Sequence, residues 1–154
     1  MSAWIDRGIA ALAMLVISAT AAADAGPTAS QAWARATAPG VDVGAVYMTI
    51  DGGAKDDELV SASTARASMV HLHTVEDSGG VAKMRAVEGV PVPAGKRVVL
   101  APKGTHVMLM GLAQPLVAGD SFAMTLKFAK AGEKTVNVSV RAAGADGPPT
   151  QVPR

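Results

Sequence analysis

Apolar and polar positions alternate in short runs along most of this chain, and no long stretch repeats at helical spacing. Phe122, Met124, Leu126 and Phe128 fall on one side of an extended segment, with Ala123, Thr125 and Lys127 on the other. Val136, Val138 and Val140 alternate in the same way with Thr135, Asn137, Ser139 and Arg141. Both patterns predict half-buried strands of an antiparallel sheet, joined by a hairpin loop across Ala129 to Lys134. Upstream, Val43 to Ile50 is an apolar run closed by Asp51-Gly52-Gly53, and Leu59 to Ser63 is another. Ser68 to Val75 and Val81 to Val87 form a pair split by Asp77-Ser78-Gly79-Gly80. Val98 to Leu100 is short and lies between two Pro-containing turns, Pro91 to Gly95 and Pro102 to Gly104. About seven strands at regular spacing predict an all-β, single-domain antiparallel sandwich or small barrel.

The ends of the chain have a different texture. Gly8 to Ala23 is almost wholly apolar and finishes in Ala21-Ala22-Ala23, the small-residue pattern of an export signal. The run falls short of the roughly 20 residues needed to span a bilayer, so residues 1–23 are read as a signal peptide, with cleavage near Ala23 or Ala25. Residues 24–30 are expected to be a flexible leader and 31–141 the folded domain. Residues 142–154, rich in Pro and Gly, are expected to be a disordered tail. The mature protein is then expected in a periplasm, with no stable membrane association.

Composition narrows the chemistry mainly by exclusion. The 154 residues carry 14 Lys plus Arg against 13 Asp plus Glu, which leaves no basic stripe for phosphates. Five aromatic side chains (Trp4, Trp33, Tyr47, Phe122 and Phe128) offer no platform for stacked bases, so nucleic acid is not an expected partner. Cysteine is absent. Disulfides, thiolate metal sites, thiol nucleophiles and blue-copper centres are thereby removed, together with the thiol a lipoprotein anchor would modify. A transition metal held here would have to use imidazole, thioether or carboxylate. No nucleophile elbow, phosphate loop or dinucleotide fingerprint is present, and Asp56, Asp57 and Glu58 beside Lys55 read as a solvated turn. An enzyme is not expected.

One distribution stands out. His71, His73 and His106 lie close in sequence to Met69, Met84, Met108 and Met110. Singly, each methionine reads as adaptable core filler and each histidine as a structural residue. Strand geometry links them. If Ser68 to Val87 is a hairpin turning at Ser78-Gly79, then Asp77 faces Gly80, Val75 faces Ala82, and His73 faces Met84. Directly opposed side chains have Cβ atoms roughly 4.5–5.5 Å apart, within reach of one ion. In a strand from His106 to Leu112, His106, Met108 and Met110 share a face. Two imidazoles and two thioethers form an uncharged, partly soft donor set that favours Cu(I) over zinc, calcium or magnesium.

The spacing of His73, ten residues, Met84, twenty-one residues, His106, one residue and Met108 resembles the metal-binding signature of the PCu(A)C periplasmic copper chaperones. The flanks are similar too: Ala32-Trp33-Ala34-Arg35-Ala36-Thr37, Ala45-Val46-Tyr47-Met48, Met84-Arg85 before Val87-Glu88-Gly89, and His106 through Leu112. The resemblance covers about Gln31 to Arg141. It implies a cupredoxin-like β-sandwich with Cu(I) on one edge, held by His73, Met84, His106 and Met108. It also implies delivery towards the Cu(A) centre of cytochrome c oxidase, with an oxidase subunit or a Sco-type thioredoxin-fold protein as partner. The tail from Gly147 to Arg154 contains neither His nor Met, so one site is expected. His71 is either a spare ligand or an exposed neighbour, Met110 either shields the ion or packs, and Trp33 either covers the copper edge or belongs to the core. Met69 is read as core. The competing expectation is a β-sandwich adhesion or assembly module in which these His and Met residues have no metal role.

Overall fold

The computed structural model describes residues 25–150; the expected signal peptide and the last four residues of the tail lie outside them. Ten strands follow in chain order: β1 Thr28–Arg35, β2 Val43–Asp51, β3 Asp57–Ser63, β4 Ala67–Ser78, β5 Val81–Val87, β6 Val90–Val92, β7 Arg97–Leu100, β8 His106–Leu112, β9 Ser121–Phe128 and β10 Gly132–Arg141. They form one sheet in the order β5-β4-β8-β2-β1-β10-β9-β3-β6, with β7 paired to β2. The sheet closes over a single core to which nine of these strands contribute, including Met48, Leu72, Leu109, Met124, Leu126 and Phe128. The fold is therefore all-β and single-domain, as the alternation predicts.

Three particulars differ from the sequence-based expectation. First, the sheet is not wholly antiparallel, because β1 runs parallel to β10 through Trp33↔Ser139, Ala34↔Val140 and Arg35↔Arg141. Strand β1 joins the two halves of the sheet, pairing with β2 on its other side. Its register shifts between Ser30 and Trp33, where Gln31 takes φ 52, a bulge that bends the strand from one half to the other. Second, β1 begins at Thr28, inside the segment expected to be a leader, where Thr28, Ala29 and Ser30 pair with Asp51, Ile50 and Thr49. A third strand-level miss is β6, which pairs Val90 and Val92 with Leu59 and Asp57 where Pro91 suggested only a turn; a proline is tolerated on an edge strand.

The tail is also tied down in part. Arg35 Nε donates to Ala145 O at 2.7 Å, and Arg141 donates to the carbonyls of Gly147 and Pro148. Two arginines at the ends of the parallel pair thus satisfy the backbone of a segment expected to be disordered.

The position of the site follows from parity. Leu72 on β4 and Val107 and Leu109 on β8 point into the core and are buried. Their odd-even partners His71, His73, His106, Met108 and Met110 must then stand on the opposite face.

Candidate metal centre

Strand β8 lies between β4 and β2, and its pairings lay out a small grid on the outer face. On the β4 side His73 is opposite His106, His71 opposite Met108, and Met69 opposite Met110. On the β2 side Met110 meets Val43 and Met108 meets Ala45. Tyr47 follows next along β2, its ring 6.2 Å from that of His106. A contact between the Thr74 and Thr105 hydroxyls, 3.1 Å apart, pins β4 to the chain entering β8 one residue beyond the histidine rung.

The β4–β5 hairpin carries the remaining candidate, Met84, in a register other than the one expected. Ser78 pairs with Val81 and the turn is Gly79-Gly80, so Met84 lies opposite Val75 and His73 opposite Ala86. Turn chemistry explains the shift. Gly79 and Gly80 take φ 65 and 83, the two left-handed positions of a type I′ turn, which glycine fills without steric cost. A turn at Ser78-Gly79 would have forced Ser78 into that region. The Asp77 carboxylate also accepts from Gly80 N at 2.9 Å. Because the shift is by two positions, Met84 keeps the face of His73 and becomes its diagonal neighbour, at a separation of roughly 7–8 Å across the strands.

The hairpin end and the outer face of the sheet together line an open cleft of about 840 Å³. Val75, Asp77, Ala82 and Met84 line it from the hairpin, Tyr47, His106 and Met108 from the sheet, and Arg35 and Lys103 at its sides. His73 adjoins the cleft through His106, with ring centroids 5.9 Å apart. The four residues expected to bind metal are thus brought to one face, three of them lining one cleft.

The two histidines are prepared differently. His106 is 5 % exposed, and its Nδ1 lies 2.9 Å from Gly104 O. A carbonyl can only accept, so Nδ1 carries the proton and Nε2 keeps its lone pair for a ligand. His73 has a buried Nδ1 with no hydrogen-bond partner among the described residues. Its pKa is lowered by burial first, then by the neighbouring His106 and His71, so the ring stays neutral to lower pH than a free imidazole. Orphaned buried nitrogens are uncommon in native proteins, and a metal ion is one partner that would satisfy this site.

The other expected residues separate clearly. Met84 is 53 % exposed and Met69 52 % exposed; Met69 is therefore not core. His71 is exposed, with its ring edge-on to His73 at 6.2 Å. Met108 and Met110 are half-buried. Trp33 is 3 % exposed yet lies outside the main core cluster, its ring 4.7 Å from that of Tyr47. It backs the site through Tyr47. Burial raises the Tyr47 pKa, against a smaller opposing effect of Arg35, which keeps the phenol uncharged. Among the described residues no three His, Cys, Asp or Glu side chains are grouped to hold a metal, so an ion here would need thioethers. The donor set fits a soft monovalent ion and little else.

Sequence reasoning did not assign roles to Gly104 or Tyr47. Gly104 acts through its backbone carbonyl, which leaves no side-chain signal. Tyr47 acquires its place only when β2 pairs with β8.

Comparison with known proteins places the chain. Residues 28–140 match a family model described as "Putative lipoprotein LpqE-like". The chain belongs to the LpqE-like family. A relative in Leifsonia xyli subsp. xyli, described as "Putative lipoprotein Lxx21020", is 38% identical over 119 residues, covering 75% of this chain and 70% of that protein. Among solved structures, the copper-bound PCuAC domain from PmoF2 is 27% identical with a TM-score of 0.66, covering 78% of this chain and 96% of that one. The solution structure of CuI-DR1885 from Deinococcus radiodurans is 31% identical with a TM-score of 0.64, covering 84% and 85%. The fold is thus that of the cupredoxin-like PCuAC domains. The family and this relative are both described as putative lipoproteins, whereas the 154 residues here contain no cysteine to carry a lipid.

Proposed function

We propose that this LpqE-like protein is an exported copper chaperone of the PCu(A)C type, holding one Cu(I) with His73, Met84, His106 and Met108. The observation that carries the reading is the His73–His106 rung. One histidine has its Nε2 freed by the Gly104 carbonyl, the other has an orphaned buried nitrogen, and Met108 and Met84 line the adjoining cleft. The likeness to copper-bound PCuAC structures supports it. Among the described residues none is arranged for bond-making chemistry, and the protein acts as a carrier.

The donors differ in accessibility, and that difference suggests the order of release. His106 is buried and Met108 half-buried, so they anchor the ion. Met84, half exposed on the edge strand β5, is the donor an incoming thiolate reaches first. Thioethers are displaced by thiolates without a change in oxidation state, so transfer needs ligand exchange alone. The recipient we infer is the Cu(A) centre of cytochrome c oxidase, reached directly or through a Sco-type thioredoxin-fold partner, in a periplasmic setting.

X-ray absorption of the Cu(I)-loaded protein tests the donor set. A mixed shell of nitrogen and sulfur scatterers is expected, and a spectrum with nitrogen and oxygen only would refute it. Met84→Ala and Met108→Ala should each weaken Cu(I) binding by more than about tenfold, equivalent to about 1.4 kcal/mol.

A further inference from the structure

The grid on the outer face does not end at the cleft. Two rungs beyond the histidine pair, Met69 and Met110 are directly opposed across β4 and β8, and His71 stands between that rung and His73 on the same face. Met69 is 52 % exposed, a cost for an apolar side chain that packing does not explain, and His71 is exposed beside it. Neither lines the cleft. The end of this rung is fixed by the backbone. Gly111 takes φ 67, a Cβ there would lie 2.0 Å from Ser68 Oγ, and that hydroxyl donates to Met110 O at 3.3 Å. Only glycine permits so close an approach, which holds β4 against β8 where the two methionines face each other.

We propose that Met69, His71 and Met110 form a second, outward-facing Cu(I) position, occupied after the cleft and one rung removed from it. The chemistry is that of an imidazole between two thioethers, neutral throughout, suited to Cu(I) and not to divalent ions that demand oxygen or thiolate. Directly opposed thioethers start from a Cβ separation of roughly 4.5–5.5 Å, and methionine has the rotatable bonds to close on an ion. His71 of the second position and Met108 of the first are directly opposed in one rung. An ion can therefore pass between them by exchanging one donor at a time. The inference rests on the cleft being the primary Cu(I) site.

Methyl-labelled methionine in the full chain, titrated with Cu(I) under ascorbate, tests it by NMR. The first equivalent is expected to move the Met84 and Met108 methyls, and the second those of Met69 and Met110 together with the His71 ring signals. In Met69→Leu/Met110→Leu the second equivalent should no longer bind, while the first is unchanged; His71→Ala should also abolish binding of the second. These side chains are exposed or half-exposed, and thermal melts of the metal-free variants check that the fold is kept. If only the Met84 and Met108 methyls respond at any copper level, the second position is refuted and the cleft stands. If Met69 and Met110 respond and Met84 and Met108 do not, the cleft assignment fails and the proposed order of filling is refuted with it. Silence from all four refutes both.

Discussion

At the scale of single residues, His106 in the cleft and His73 beside it divide the work of staying available. Gly104 fixes the tautomer of His106, whereas His73 is kept neutral by burial, with His106 and His71 adding repulsion. The His73 shift has a sign that can be measured. Its folded pKa lies below the ordinary histidine value of 6.5, so between the folded pKa and about 6.5 the unfolded chain binds more protons than the folded one. Stability from this group is complete above about pH 6.5 and is lost as pH falls through the folded pKa. Denaturant melts of the metal-free protein should show that acid loss, and His73→Asn should remove part of it. A wild-type protein whose stability is flat from pH 7 to 5, with His73 titrating normally by NMR, would contradict the shift.

The scale of elements is where the sequence was most and least informative. Period-2 alternation makes β9 readable almost to the residue and β10 from Thr135 onward, because one face of each packs on a single core and the other meets solvent. Gly132, Glu133 and Lys134, expected in the hairpin loop, instead extend β10 and pair with Phe128, Lys127 and Leu126. His106 to Leu112 was equally legible, and with it the shared face of His106 and Met108. Pairings between distant strands were not. Nothing in the spacing of His73 and His106 says that β4 lies beside β8, since that neighbour relation is set by the closing of the whole sheet. Strand β6 was hidden by Pro91, and β1 by the small polar residues from Thr28 to Gln31. The hairpin register failed by two positions for a local reason, since Gly79 and Gly80 compete with Ser78-Gly79 for the turn and the doubly left-handed geometry favours two glycines. A substitution follows from that geometry. A non-glycine residue held left-handed costs roughly 1–2 kcal/mol, so Gly79→Ala/Gly80→Ala should strain the hairpin end that carries Met84. Because β5 is an edge strand exposed along nearly its whole length, much of that strain can be relieved by local fraying. Cu(I) affinity is expected to fall while the cooperative thermal transition moves little. Equal loss of both would mean that the hairpin belongs to the cooperative core.

For the whole molecule, the methionines test whether the site and the fold are separable. Met124 is fully buried in β9, and Met48 nearly so in β2, and both belong to the central cluster. Met84 and Met69 stand half in solvent on the other face. The same side chain therefore has opposite assignments on the two faces of one sheet. Truncating a buried methionine removes transfer free energy and leaves a cavity, at a cost of roughly 2–5 kcal/mol. Truncating an exposed one costs typically within about 0.5 kcal/mol. Met124→Ala should lower the melting temperature of the metal-free protein by several degrees and leave the Cu(I) affinity of the folded fraction close to wild type. Met84→Ala should do the reverse. The crossing of the two effects separates a carrier from an assembly module whose methionines are packing alone, since in the latter no methionine could change metal binding without first changing stability.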